Sequence, residues 1–128
     1  MKINQDTLIG DTGYSLDKLI PYILYEDSIG SKNNISLKDS LANYLVIDIV
    51  FKNTDGSYYF TERYYNPNGK SIHMHYDNIV SNTRYLFEKI YSCNDKSINK
   101  VSCRQYNASS NSYGTYDSFN IMKVIGYK

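Results

Sequence analysis

Tryptophan is absent from this chain of 128 residues, and alanine, proline and cysteine occur only twice each. Each shortage excludes something. Two cysteines, Cys93 and Cys103, make neither a disulfide framework nor a four-ligand zinc site. In a reducing compartment they are expected to be free thiols. Neither sign of charge dominates: 14 basic and 13 acidic residues leave a net charge of +1. That is too little for a dedicated duplex-binding module, whose affinity comes from many phosphate contacts. The longest central apolar stretch, Tyr44 to Phe51, is interrupted by Asp48 and is too short to span a bilayer. The opening residues, Met1-Lys2-Ile3-Asn4-Gln5-Asp6, lack the apolar run of a secretory signal. The expectation is a soluble, non-exported protein of the cytoplasm, with no membrane partner.

What is present is tyrosine, with 15 copies beside four phenylalanines. Tyr, Ile, Asn and Lys together fill 54 of the 128 positions. Residues with AT-rich codons dominate, which points to an AT-rich genome such as that of a low-GC bacterium, its phages or some protists. Hydrophobic content of 41% in a chain of this length is enough for one domain, 1–128, with its own core. Residues 1–13 read as a loose polar arm or a short edge strand, punctuated by Gly10 and Gly13. The near-zero charge conceals an asymmetry: residues 1–50 sum to −3 and residues 51–128 to +4.

Periodicity predicts the elements. Leu16, Leu19, Ile20, Ile23 and Leu24 fall at helical spacing behind Ser15, with Pro21 awkward inside. Ser36 and Asp39 resemble a capping box before a short helix to about Asn43. Leu45, Ile47, Ile49 and Phe51 alternate as a strand, and Asp55-Gly56 is a two-residue hairpin signal. Ser57–Tyr65 is the returning strand, Asn66-Pro67-Asn68-Gly69 a second turn, and Lys70–Tyr76 a third strand, giving an antiparallel meander. Asp77 reads as the cap of a helix to about Tyr91, with Ile79, Thr83, Leu86, Phe87 and Ile90 as its buried stripe and Arg84–Glu88 as an i,i+4 pair. Two more strands are expected near Ile98–Tyr106 and Ser118–Tyr127, with an exposed, mobile loop from Asn107 to Asp117 between them. The fold class is therefore expected to be α+β: an antiparallel sheet of a three-stranded meander plus about two C-terminal strands, with two or three helices packed on one face.

The turns also predict a register. Pairing across Asp55-Gly56 sets Asp48 opposite Arg63, and pairing across the second turn sets Arg63 opposite His73. Asp48, Arg63 and His73 would then cross three strands on one face, flanked by Thr61–His75 and Tyr65–Ser71, with Tyr59 nearby. Leu45, Ile47, Ile49, Phe51, Tyr58, Phe60, Tyr64, Ile72, Met74 and Tyr76 would form the core face. Glu62 falls on that apolar face and demands an edge position or another register. Arginine's planar fork suits phosphate or carboxylate, and histidine supplies titratable nitrogen. The bland alternative is a solvated face with cross-strand pairs worth a few tenths of a kcal/mol each. A weaker basic cluster contains Arg84 and Arg104, and the exposed tyrosines are expected to include Tyr106, Tyr113 and Tyr116.

The ligand-binding set is thus Asp48, Tyr59, Thr61, Arg63, Tyr65, His73, His75, Arg84 and Arg104. His73-Met74-His75 point the same way on a strand, but no third metal ligand is evident beyond Asp48 or a carboxylate from elsewhere, so neither metal nor cofactor is assigned. No nucleophilic triad, Walker loop or dinucleotide fingerprint is present. The reading is a small non-catalytic binding or inhibitor protein, of the kind a phage or mobile element directs against host machinery. Its partner is an anionic, nucleotide-like small molecule or a host protein, and the face is completed in a homodimer or higher oligomer. The alternatives are a phosphoester-cleaving enzyme using His73, His75, Arg63 and Asp48, and a structural homo-oligomer subunit.

Overall fold

Strand alternation prevails over helical spacing almost everywhere in the described residues. The computed structural model describes residues 20–55 and 57–128, and within them nine strands are formed. These are β1 Tyr22–Ser31, β2 Ile35–Ser36, β3 Val46–Asn53, β4 Tyr58–Tyr65, β5 Lys70–Val80, β6 Thr83–Asn94, β7 Ser97–Asn107, β8 Ser112–Gly114 and β9 Phe119–Tyr127. They build two antiparallel sheets, ordered β1-β9-β3-β4 and β2-β7-β6-β5, with β8 added outside β7. The expected α+β class is overturned: among the described residues the helical content is one 3₁₀ turn, Leu41–Asn43, capped by the Ser40 hydroxyl. None of the described helices is long and apolar enough to cross a membrane.

The expected helices give way to strands, apart from the 3₁₀ turn that ends at Asn43 and is capped by Ser40 rather than Ser36. The arm at 1–13 and the start of the first helix lie outside the described residues, but its remaining residues, Tyr22 onward, are strand β1 paired to β9. The helix expected over 77–91 is instead the end of β5 and most of β6, joined by a tight turn in which Ser81 and Asn82 both have positive φ. Such a turn matches the twist of a two-stranded hairpin. In β6 the inward positions are Tyr85, Phe87, Lys89, Tyr91 and Cys93, a clean period of two. A lysine in the middle of that row hides it from a hydrophobic pattern. The loop Asn107–Asp117 is also more ordered than expected, because it contains β8, paired to β7 through Tyr106 opposite Tyr113.

The β3–β4 hairpin has the expected register throughout, with Asp48 opposite Arg63. The second turn does not make a hairpin. The Gly69 N–H donates to the Cys93 carbonyl at 2.8 Å, and β5 pairs from Lys70 onward with β6 rather than with β4. The chain therefore crosses between sheets at Asn66–Gly69, and the meander is corrected to one hairpin in each sheet. β4 is left as an edge, which accounts for Glu62. Its carboxylate accepts the His75 backbone N–H at 3.4 Å and the Tyr64 hydroxyl at 2.6 Å, while Tyr64 also donates to the His73 carbonyl at 3.2 Å. Side chains bridge the two edges where a backbone ladder was expected.

The sheets face each other through an aromatic layer. Phe119 packs on Phe87 at 5.1 Å and on Tyr76 at 5.3 Å between centroids, and Phe60 stacks on Tyr76 at 4.9 Å. Ile47, Ile49, Phe51 and Val124 of the first sheet and Met74, Tyr91 and Ile98 of the second are fully buried. Of the expected core face, Leu45 and Tyr58 are exposed instead. One charge crosses the interior. Lys89 has no solvent exposure, and its Nζ lies 2.8 Å from the Asp117 carboxylate and donates to the Phe119 carbonyl at 2.9 Å. Burial holds this ammonium's pKa below its ordinary value against the pull of Asp117.

Candidate functional site

The nine predicted site residues divide between two outer faces. Asp48, Tyr59, Thr61, Arg63 and Tyr65 lie on the first sheet, whereas His73, His75, Arg84 and Arg104 lie on the second. The predicted row ends at Arg63, because His73 stands opposite Ile90 of β6. The four-residue cluster invoked for phosphoester cleavage is likewise split between sheets.

On the first sheet the arginine is already committed. Arg63 makes a two-pronged pair with Asp48, Nε–Oδ1 at 2.7 Å and Nη2–Oδ2 at 2.9 Å, and covers the Tyr127 ring at 5.3 Å. Those bonds raise its pKa further above the ordinary arginine range. Tyr59 and Tyr65 flank it and are exposed, and Lys52 sits over the Tyr59 ring at 5.5 Å. Both prongs of the arginine are thus taken by a carboxylate of the same face.

The second sheet is different, and its registers explain why. His75, Glu88 and Arg104 stand in one row across β5, β6 and β7. Asp77, Leu86, Tyr106 and Tyr113 stand in the next, across β5 to β8. Alternation turns all of them outward. β8 adds a raised margin, where Tyr106 and Tyr113 pack at 5.0 Å and the Arg104 guanidinium lies over the Tyr113 ring at 4.9 Å. The result is a groove of about 700 Å³ lined by His75, Asp77, Leu86, Glu88, Arg104 and the two tyrosines.

Charges in the groove are unequally satisfied. Arg84 grips Asp77 with contacts of 2.7 and 3.1 Å, which raises the arginine's pKa and lowers the carboxyl's. His75 Nε2 lies 3.0 Å from Glu88 Oε2. Among the described residues Arg104 has no carboxylate partner. Its planar face is held by a ring while its N–H edge makes no hydrogen bond to the described residues, an arrangement suited to phosphate or carboxylate. A second depression of about 580 Å³ opens at the other end of the sheets, near Asn53, Tyr58, Ile79 and Tyr116. It contains no cationic side chain, and Tyr116 there donates to the Asp55 carboxylate at 2.8 Å.

Glu88, Leu86, Tyr106 and Tyr113 were not assigned to the site from sequence. The tyrosines were legible as exposed, but Glu88 was read as a helical partner of Arg84, and only the strand register places it beside His75. No protein-family profile matches the chain, and no curated protein sequence matches it either.

Proposed function

We propose that this protein is a non-catalytic binding protein whose ligand carries an anionic group and lies in the groove across β5 to β8. The observation that carries the reading is the unequal use of the three arginines. Arg63 and Arg84 are each closed onto a carboxylate, while Arg104 is stacked, open and set in the wall of a ligand-sized groove. Leu86 and the Tyr113 ring give a planar or apolar portion something to cover, and His75 offers a further polar edge. A ligand of this kind is a nucleotide or a similarly built aromatic anion.

The test is a thermal-shift titration of the full chain with ATP and, separately, inorganic pyrophosphate. A ligand at 100 times its Kd stabilises by about 2.7 kcal/mol. With an unfolding entropy of about 0.27 kcal/mol/K for 128 residues, that is a rise in Tm of roughly 10 °C. Arg104→Ala removes a charge-assisted contact worth about 1.5–3 kcal/mol, so the same shift requires roughly 10–150 times more ligand. A shift that survives Arg104→Ala places the ligand elsewhere.

A further inference from the structure

Just beyond the groove, on the same outer face, three metal-ligating side chains converge. Alternation along β5 sends His73 and His75 outward together, with their rings 6.1 Å apart and only 20° from parallel. Glu88 stands directly across from His75 on β6 and reaches both of them. Its Oε2 lies 3.0 Å from His75 Nε2 and 3.8 Å from His73 Nδ1, and the three ligand atoms all fall within 4.8 Å of one another. Around a tetrahedral zinc ion, with bonds of about 2.1 Å, ligand atoms stand roughly 3.4 Å apart. These two separations straddle that value and the two histidine nitrogens lie within 4.8 Å of each other, so side-chain rotations bring all three onto one ion.

We propose that His73, His75 and Glu88 bind a divalent transition-metal ion of the zinc class. Two imidazole nitrogens and one carboxylate favour zinc over calcium or magnesium, which take oxygen ligands. Three protein ligands on an open sheet face leave coordination positions for water or for an anionic ligand, unlike a closed structural site. Because His75 and Glu88 also line the groove, the ion sits at its margin. The site uses none of Arg104, Tyr106 or Tyr113, so it stands whether or not the groove binds an anion.

The experiment is calorimetric titration of zinc chloride into the metal-stripped full chain in a non-coordinating buffer, with parallel NMR of the histidine rings. The expected result is one ion per chain, with shifts of the His73 and His75 ring signals. Each of His73→Ala, His75→Ala and Glu88→Gln weakens binding at least tenfold, the lower bound even for residues that merely support a metal ligand. Tyr59→Ala, on the outer face of the first sheet, leaves it unchanged. Melting curves without metal show that the variants are folded, as expected for replacements on a solvent-facing surface. Absence of ring shifts at excess zinc overturns the proposal, as does stoichiometric binding that persists in the variant lacking both histidines.

Discussion

The replacement Asp117→Asn tests the interior of the fold most severely. Lys89 projects from β6 into the space between the sheets, where Asp117, just before β9, and the Phe119 carbonyl receive it. Asp117 is itself almost enclosed, with its side chain 10% exposed, and lies 3.4 Å from Lys100. Removing its charge leaves an ammonium in the core with only neutral acceptors. Breaking one half of such a pair costs about 3–5 kcal/mol, which at about 0.27 kcal/mol/K is a fall in Tm of roughly 11–19 °C. Lys89→Met fills similar volume and removes the fully buried ammonium itself. The carboxylate left behind keeps Lys100 at 3.4 Å as a partner, so no charge is stranded in the core and the cost is smaller. Urea denaturation of both variants reads the difference directly. An Asp117→Asn variant within about 1 kcal/mol of the parent, or a larger loss in Lys89→Met, contradicts this role for the buried pair.

Two further outcomes concern packing and alkali. Gly126→Ala sets a methyl 2.5 Å from Cδ1 and 2.8 Å from Cε1 of Tyr44, a buried ring whose hydroxyl is tied to Asp39 at 2.8 Å. Overpacking of this kind costs about 1–3 kcal/mol, read as a lower urea midpoint with an unchanged slope; an unaltered midpoint shows that the ring yields. Stability also falls as pH rises above about 9, because burial lifts the Cys93 thiol from 9.0 to about 12 and the Tyr44 hydroxyl from 10.0 to about 12, and lifts Tyr64 and Tyr91 further. The unfolded groups ionise first, so the unfolded state binds fewer protons and gains over that window. For Cys93 alone the full effect is on the order of 4 kcal/mol. Lys89, lowered by burial, gives an opposing gain below pH 10.5, but it is one group against four. Urea midpoints measured from pH 8 to 11 show the decline, and Cys93→Ala flattens its first part; a level profile in the parent contradicts the assignment.

Local chemistry announced the β3–β4 hairpin down to its register, because a two-residue turn and strict alternation leave a single way to pair. It announced β7 and β9 to within a residue or two. It misled at β6, where Lys89 occupies a core position and Arg84 and Glu88 happen to fall four apart. It named β4 as the partner of β5, where the structure has β6. Asn66–Gly69 serves equally as a hairpin turn or as a corner between sheets, and the choice rests on contacts with Cys93 and the rest of β6, remote in sequence. The site inherited that error. His73 and His75 were expected on one polar face with Arg63, and Arg84 and Arg104 in a separate basic cluster. The strand registers set His73, His75, Arg84 and Arg104 on the outer face of the second sheet and leave Arg63 on the first. Glu88 gained its position only when β6 became a strand.

We propose the open groove beside Arg104 as the binding surface and a structural role for the closed pair at Arg63. An NMR titration of the full chain with ATP in the presence of a chelator, repeated on Arg104→Ala and Arg63→Ala, tests it most directly. The prediction is saturable shifts at His75, Leu86, Arg104 and Tyr113, weakened tenfold or more by Arg104→Ala and preserved in Arg63→Ala. Shifts centred on Tyr59, Arg63 and Tyr65, or none at any of these residues at millimolar ATP, contradict it.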